Sequence, residues 1–438
     1  MLPWFPALLV APLAAQRATP VVDRQIVAAG VWAEARYNYA YWEAVRANWD
    51  SAFAATVTFA GQRPAPTDLQ FLRRLRRWGA LLNDGQLEIL PPVAIAGRMA
   101  RPPLMLRSIE RRPFIMDYAT NDEMRIARPE RLAEILAIQG IPAAIWIRDS
   151  VLPEIPAATE GSRWERAVVR MLEGERGTAL ALRLRLPGGE ERGASVTRSV
   201  PLTARWPLER PALEADTLAD GAIWIRLNSL TDDDVVERFD RALGDAAREG
   251  LRHRGLILDL RETVWTASGR EHGYAILSRL IDRPFLTSRW RTPQYRPAYR
   301  GSDTPDSTGA WLTAPSDTIW PPLRRERIAY TGPVALLSSA RTAGAAEDFI
   351  VAFRGGNRGP IIGESSAGST GQTAVIPLAG GWQLRVTVTR DAFPDGKEFV
   401  RSGIAPDHPV DARVEDVLAG RDAALDRARA YLAEMARR

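Results

Sequence analysis

From Trp206 to about Val414 the chain alternates short apolar runs with amphipathic stretches, and this constrains the fold more than any other feature. Ala222–Leu227 and Leu256–Leu260 are apolar runs of the kind buried on both faces of a sheet, each interrupted by one charged residue, and Val235–Ala247 has helical spacing between them. Val334–Leu337 and Pro360–Gly363 repeat the strand pattern, with a helix expected over Ala345–Phe353. Leu384–Thr389 alternates like a half-exposed strand. Strands alternating with helices call for a largely parallel sheet covered by helices, so the expected class is α/β.

The remainder divides by pattern. Residues 21–91 read as helical, with an aromatic-rich stretch (Trp32, Tyr37, Tyr39, Tyr41, Trp42, Trp49) expected to be mostly core. Leu69, Leu72, Leu75 and Leu82 keep helical spacing, which predicts that Arg73, Arg74, Arg76 and Arg77 fall mostly on the solvated face. Residues 93–205 read as a β-rich module, with strands over Ala144–Arg148 and Ala179–Leu186 and a hairpin turn at Pro187-Gly188-Gly189. Residues 415–438 close the chain as an amphipathic helix.

Composition excludes several chemistries. There is no cysteine, so disulfide scaffolds, zinc–thiolate sites and thiol nucleophiles are impossible. Lys397 is the only lysine, and His253, His272 and His408 are the only histidines. The net charge of +5 reads as a solvated arginine-rich surface, because acidic residues are interspersed and no nucleic-acid module is recognisable; the second arginine cluster is Arg324, Arg325 and Arg327. Leu2–Ala15 is short, apolar and ends in small residues, which suggests a secretory signal over residues 1–15 and a periplasmic or secreted protein. No window is long and apolar enough for an integral membrane segment.

Four stretches of the α/β region, GLILDLRE at Gly255–Glu262, GPVALLSSARTAGAAEDF at Gly332–Phe349, GESSAGSTGQT at Gly363–Thr373 and RDAFPDGKEFVRSGIAPD at Arg390–Asp407, together with LLNDGQLEI at Leu81–Ile89, resemble the tail-specific, C-terminal processing and tricorn-core serine peptidases (serine peptidase family 41). The resemblance implies a crotonase/ClpP-like core, a PDZ-like module at residues 93–205 and an N-terminal helical domain. It also implies acyl transfer by a serine, a base and backbone oxyanion donors.

The catalytic positions depart from that pattern. The family's serine falls on Gly344, in Thr342-Ala343-Gly344-Ala345-Ala346-Glu347. The lysine of one branch falls on Ser369, the histidine of the other on Gln86, and that branch's orienting glutamate on Val400. Glutamine has no usable basicity near neutral pH. The oxyanion-region residues are Ala345 and, where the family carries glycines, Val264 and Trp265. A nucleophile relocated to Ser338, Ser339, Ser365 or Ser366 is the alternative; retained Glu347 is expected to cap or pair within its own helix.

The function expected is therefore a catalytically inactive member that binds a peptide or protein C-terminus, without cofactor, metal or nucleic acid. A hydrolase with a relocated nucleophile and a basic surface-binding protein without enzymatic activity are the alternatives.

Overall fold

The computed structural model describes residues 20–118, 128–204, 210–248, 255–263, 268–294, 311–323 and 329–437. The segment Leu2–Ala15, His253, Val264, Trp265 and the arginines at 324, 325 and 327 lie outside the described residues.

The α/β region forms a six-stranded sheet in the order Leu213–Thr217, Ile223–Leu227, Leu256–Asp259, Val334–Ser338, Ile361–Gly363, His408–Pro409. The first strand is antiparallel to the second; every later neighbour is parallel. Leu256–Asp259 and Val334–Ser338 are buried along their whole length, as two-sided cover requires. The helix Ala345–Gly355 is buried from Ala345 through Phe353, so it is a central helix and not a surface one. On the opposite face Ala424, Ala428 and Leu432 pack against Ile257, Leu337 and Ile362.

The tail is two helices, not one. Val414–Leu418 stops before Gly420, whose φ of 69° lies in the left-handed region, and Asp422 then caps Ala423–Met435 by accepting from Leu425 N–H at 3.1 Å. Helical spacing continues across the break in sequence, which is why it reads as continuous.

Residues 20–80 supply three helices, Pro20–Asn38, Trp49–Ala60 and Asp68–Ala80, the last opened by a Thr67/Gln70 capping box. Their buried side chains share one hydrophobic core with the α/β sheet: Val27, Phe71, Trp78, Ile225 and Phe349 belong to the same cluster. Tyr39, Tyr41 and Trp49 are core, whereas Tyr37 is exposed. The strand Glu88–Leu90 then pairs with Gln383–Thr387, stitching the helical segment to the far end of the α/β region.

The β-rich module has its own core and a sheet in the order Leu104–Ile109, Arg112–Tyr118, Glu134–Ile138, Ala179–Arg185, Glu191–Thr197. Ala179–Arg185 alternates strictly between exposed and buried residues, and the turn at residues 187–189 closes its hairpin, with Leu186 N–H donated to Glu190 O at 2.8 Å. The expected strand at Ala144–Arg148 is instead helical: Ala143–Trp146 continues into the turn Ile147–Val151. Pro142 sets the helix start, and Ile147 and Val151, four apart, both pack into the module core. Five residues of apparent alternation fit either period, and tertiary packing decided.

Candidate active site

The site is built where three chain segments meet. The first is the turn between the strand Val334–Ser338 and the helix Ala345–Gly355. Gly344 stands at its corner with φ 61° and ψ −131°, a backbone shape that side-chain-bearing residues rarely hold. A strained strand-to-helix corner of this sort is how nucleophile elbows lift a serine into a cleft. Here the corner is kept and the side chain is absent. Ala345 N–H opens the helix and has no intrahelical acceptor, so it remains an oxyanion-type donor in kind.

The second segment runs over residues 364–371. Gly344 N–H donates to Ser369 O at 2.9 Å, and Ala367 N–H to Thr342 O at 2.9 Å, which locks this loop against the corner. Glu347 reaches across from the central helix and receives Ser366 Oγ–H, Gly368 N–H at 2.8 Å and Ser369 N–H at 2.7 Å. It does not pair within its own helix as the sequence suggests; it anchors the neighbouring loop. Burial pushes its carboxyl up to about 7, against the pull of those three donors.

The third segment is Asp84-Gly85-Gln86. Asp84 accepts from Gln86 N–H at 2.8 Å, closing a tight turn, and burial raises its carboxyl above the ordinary value. Gly85 is packed so closely on Ser369 Oγ that a Cβ there would overlap it. Gln86 is fully buried and donates Nε2 to Gly371 O at 3.0 Å, while its Oε1 meets no partner among the described residues. Gly344, Ser369 and Gln86 are thus drawn together from far-apart chain positions. Val400 joins at one remove: it is buried beside Phe399 and Ile404, and its neighbour Arg401 donates N–H to Gly368 O at 2.8 Å. Val264 and Trp265 lie outside the described residues.

The other serines are committed elsewhere. Ser338 Oγ donates to Glu364 O at 2.8 Å and Ser339 Oγ to Arg261 O at 3.0 Å; Ser366 is held by Glu347, and Ser365 is exposed. His272 turns Nδ1 to Leu230 O at 2.8 Å, and His408 sits in the last strand opposite Ile362. Neither histidine makes a hydrogen bond to any of these serines among the described residues.

A cleft of about 1020 Å³ opens beside the corner, with Ala343, Ala367 and Ser369 in its lining. None of Ser338, Ser339, Ser365 and Ser366 lines it. Ser369, in sequence only the position of a missing lysine, lines the cleft next to Gly344, and Thr370 Oγ1 donates to Gly344 O at 3.2 Å from the same loop. The far side of the cleft is the β-rich module's edge strand, Leu104–Ile109, and the helix Glu160–Arg170. Ser108 N–H on that edge is taken by Glu165, 3.2 Å away, and Glu165 also lies 3.7 Å from Arg107. Arg341, just before the corner, pairs with Glu262 at 3.0 Å. Arg76 enters this cleft as well, which corrects the expectation that its helix turns its arginines to solvent: Arg73 and Arg77 do, whereas Arg74 donates to Thr56 at 3.2 Å.

Fold and site together give an α/β core with a β-rich module beside its cleft. Residues 223–410 match the model of peptidase family S41. Carboxyl-terminal-processing peptidase 2, chloroplastic, from Arabidopsis thaliana is 26% identical over 297 residues, which is 64% of this chain and 50% of that protein. The chain spans about half the length of that relative. Among solved structures, mature CPAF complexed with lactacystin superposes with a TM-score of 0.72 at 14% identity, covering 96% of this chain and 100% of that one. The photosystem II D1 C-terminal processing protease gives 0.52 at 19% identity, covering 92% and 98%. At these identities the likeness is one of fold. No described helix is long and apolar enough to cross a membrane.

Proposed function

We propose that this chain is a pseudopeptidase: it binds extended peptide in the cleft and does not cleave it by the family's serine route. The observation that carries the reading is the corner at Gly344. Its backbone keeps the shape that presents a nucleophile, it sits against Ser369 and the Gln86 turn, and no side chain projects from it. Gln86 cannot take a proton near neutral pH, and Val400 offers nothing to orient a base.

Binding is separable from this loss. An extended segment added along an exposed strand edge is held by main-chain hydrogen bonds, which the missing side chains never supplied. The edge strand Leu104–Ile109, which lines the open cleft, supports this reading and with it a PDZ-like role for the module. For a hydrolase with a relocated nucleophile Ser369 is the candidate beside the corner, because Ser338, Ser339, Ser365 and Ser366 lie off the cleft.

The test is a panel of unstructured peptides incubated with the purified chain. Calorimetry reads binding and mass spectrometry reads cleavage. Saturable binding with intact peptides is expected. Turnover that disappears on Ser369→Ala would replace this reading with the relocated-nucleophile one.

A further inference from the structure

The edge strand of the β-rich module is not a bare edge. Leu104–Ile109 ends its sheet and is hydrogen-bonded on one side, to Arg112–Tyr118. Main-chain groups alternate along a strand, and the extra residue at the register shift lies in the neighbouring strand. Leu104, Leu106 and Ser108 therefore turn their N–H groups the same way, away from that neighbour. Two of these three donors are spent inside the module. Leu104 N–H donates to Pro102 O at 2.8 Å, and Ser108 N–H donates to the Glu165 carboxylate at 3.2 Å.

Glu165 comes from the helix Glu160–Arg170, which packs beside the strand. The side chain is buried, and its other oxygen lies 3.7 Å from Arg107. The same helix touches the segment leading to the Gly344 corner: a Cβ on Gly161 would come within 3.2 Å of the Ala340 methyl, and Arg341 also attracts Glu165.

We propose that Glu165 is a built-in competitor for the edge strand: its carboxylate holds the place of a ligand carbonyl on Ser108 N–H, and an extended peptide adds to the strand only when Glu165 swings away. The proposal rests on the peptide-binding reading above. Strand addition works through the outward main-chain donors of the edge. The Leu104 donor is committed to its own turn, so Leu106 and Ser108 carry the addition, and Glu165 controls the second of them. A carboxylate on a backbone N–H makes a charge-assisted bond, which keeps the contact closed in the absence of ligand. Burial nevertheless raises the Glu165 carboxyl above its ordinary value, against the pull of Arg341, Arg107 and Ser108 N–H. Release to water restores its hydration and offsets part of the bond given up, so the contact is one that a ligand can open. Where the competent state is only fractionally populated, affinity falls by that fraction.

The experiment compares the full chain with its Glu165→Ala and Glu165→Gln variants. Calorimetry with a panel of unstructured ten-residue peptides reads affinity, and amide hydrogen exchange reads Ser108 directly. Glu165→Ala should bind about tenfold tighter than the parent. Its Ser108 amide should exchange faster without peptide and slow again when peptide is bound. Glu165→Gln keeps the shape and an acceptor oxygen without the charge, and should bind about threefold tighter; it carries the comparison if Glu165→Ala does not fold. Equal affinities across the three chains would overturn the competitor role and leave peptide binding standing. Weaker binding by Glu165→Ala would overturn it in favour of Glu165 as a contact to the ligand. Failure of all three chains to bind would overturn both readings.

Discussion

Gly344 N–H donates to Ser369 O at 2.9 Å, so the corner that would carry a nucleophile is fixed to the loop that would carry a base. In the pseudopeptidase we propose, the two positions hold this spatial relationship without either functional side chain, and the scaffold of acyl transfer is separable from its chemistry.

Gly344→Ser places a side chain on φ 61°, and forcing that conformation should cost about 1–3 kcal/mol. Chemical denaturation measures the loss. The variant should remain without peptide turnover, because Gln86 supplies no base; turnover in Gly344→Ser alone would show that another group takes the proton.

Gly85→Ala drives a methyl into Ser369 Oγ and to within 2.9 Å of Arg166 Nη1. Overpacking of this kind should destabilise by about 1–3 kcal/mol. Gly188→Ala, at a hairpin turn where an added Cβ meets nothing within 4 Å, should stay within about 0.5 kcal/mol of the parent. Matched melting curves decide it: equal losses at the two sites would mean that Gly85 is not closely packed on Ser369.

Glu347 gives the fold a definite pH dependence. Its carboxyl ionises near 4.5 in the unfolded chain and at about 7 when folded, so between those values the fold holds a proton that the unfolded chain has released. Stability should therefore fall as pH rises from about 4.5 through 7, by about 3 kcal/mol for this group. Asp391, pushed up to about 7 by burial and by Asp348, acts in the same direction. Denaturation midpoints at pH 5 and pH 7.5 should show the drop. Glu347→Gln should be weaker at pH 5 and show a shallower slope.

Arg261 bridges Asp259, at 2.9 and 2.8 Å, to Asp422, at 2.8 Å to each oxygen, tying the sheet to the cap of the last helix. Against the cost of burial, Arg261 holds Asp259 down at about 2. Arg261→Ala leaves the buried Asp259 carboxylate to Arg226 at 3.5 Å and Trp224 Nε1–H at 3.3 Å, and should cost about 3 kcal/mol. In the parent, this contribution is present above about pH 4 and fades as pH falls through about 2, so acid denaturation of the parent and neutral-pH denaturation of the variant should release the same last helix first.

Much of this was readable from the chain itself. Two-sided burial leaves near-continuous apolar runs, so Leu256–Asp259 and Val334–Ser338 stood out, and the helix after Gly344 began where the corner required. The convergence of Gln86 on Gly371, 285 residues away, could be expected only from the family resemblance, because no local pattern encodes so distant a contact. Three things were hidden. Ala144–Arg148 is too short for its period to be decided. The break at Gly420 interrupts a helical spacing that runs past it. Arg76 looked solvent-facing because helical spacing separates faces but does not say that one polar face will line a cleft made by another module.

In a pseudopeptidase no residue at this cleft acts as a nucleophile. A broadly reactive fluorophosphonate, followed by intact-mass analysis of the full chain, measures that most directly. The expected result is an unmodified mass after saturating exposure, with Ser369 unlabelled. A single stoichiometric adduct on Ser369, slowed by a cleft-binding peptide, would contradict it.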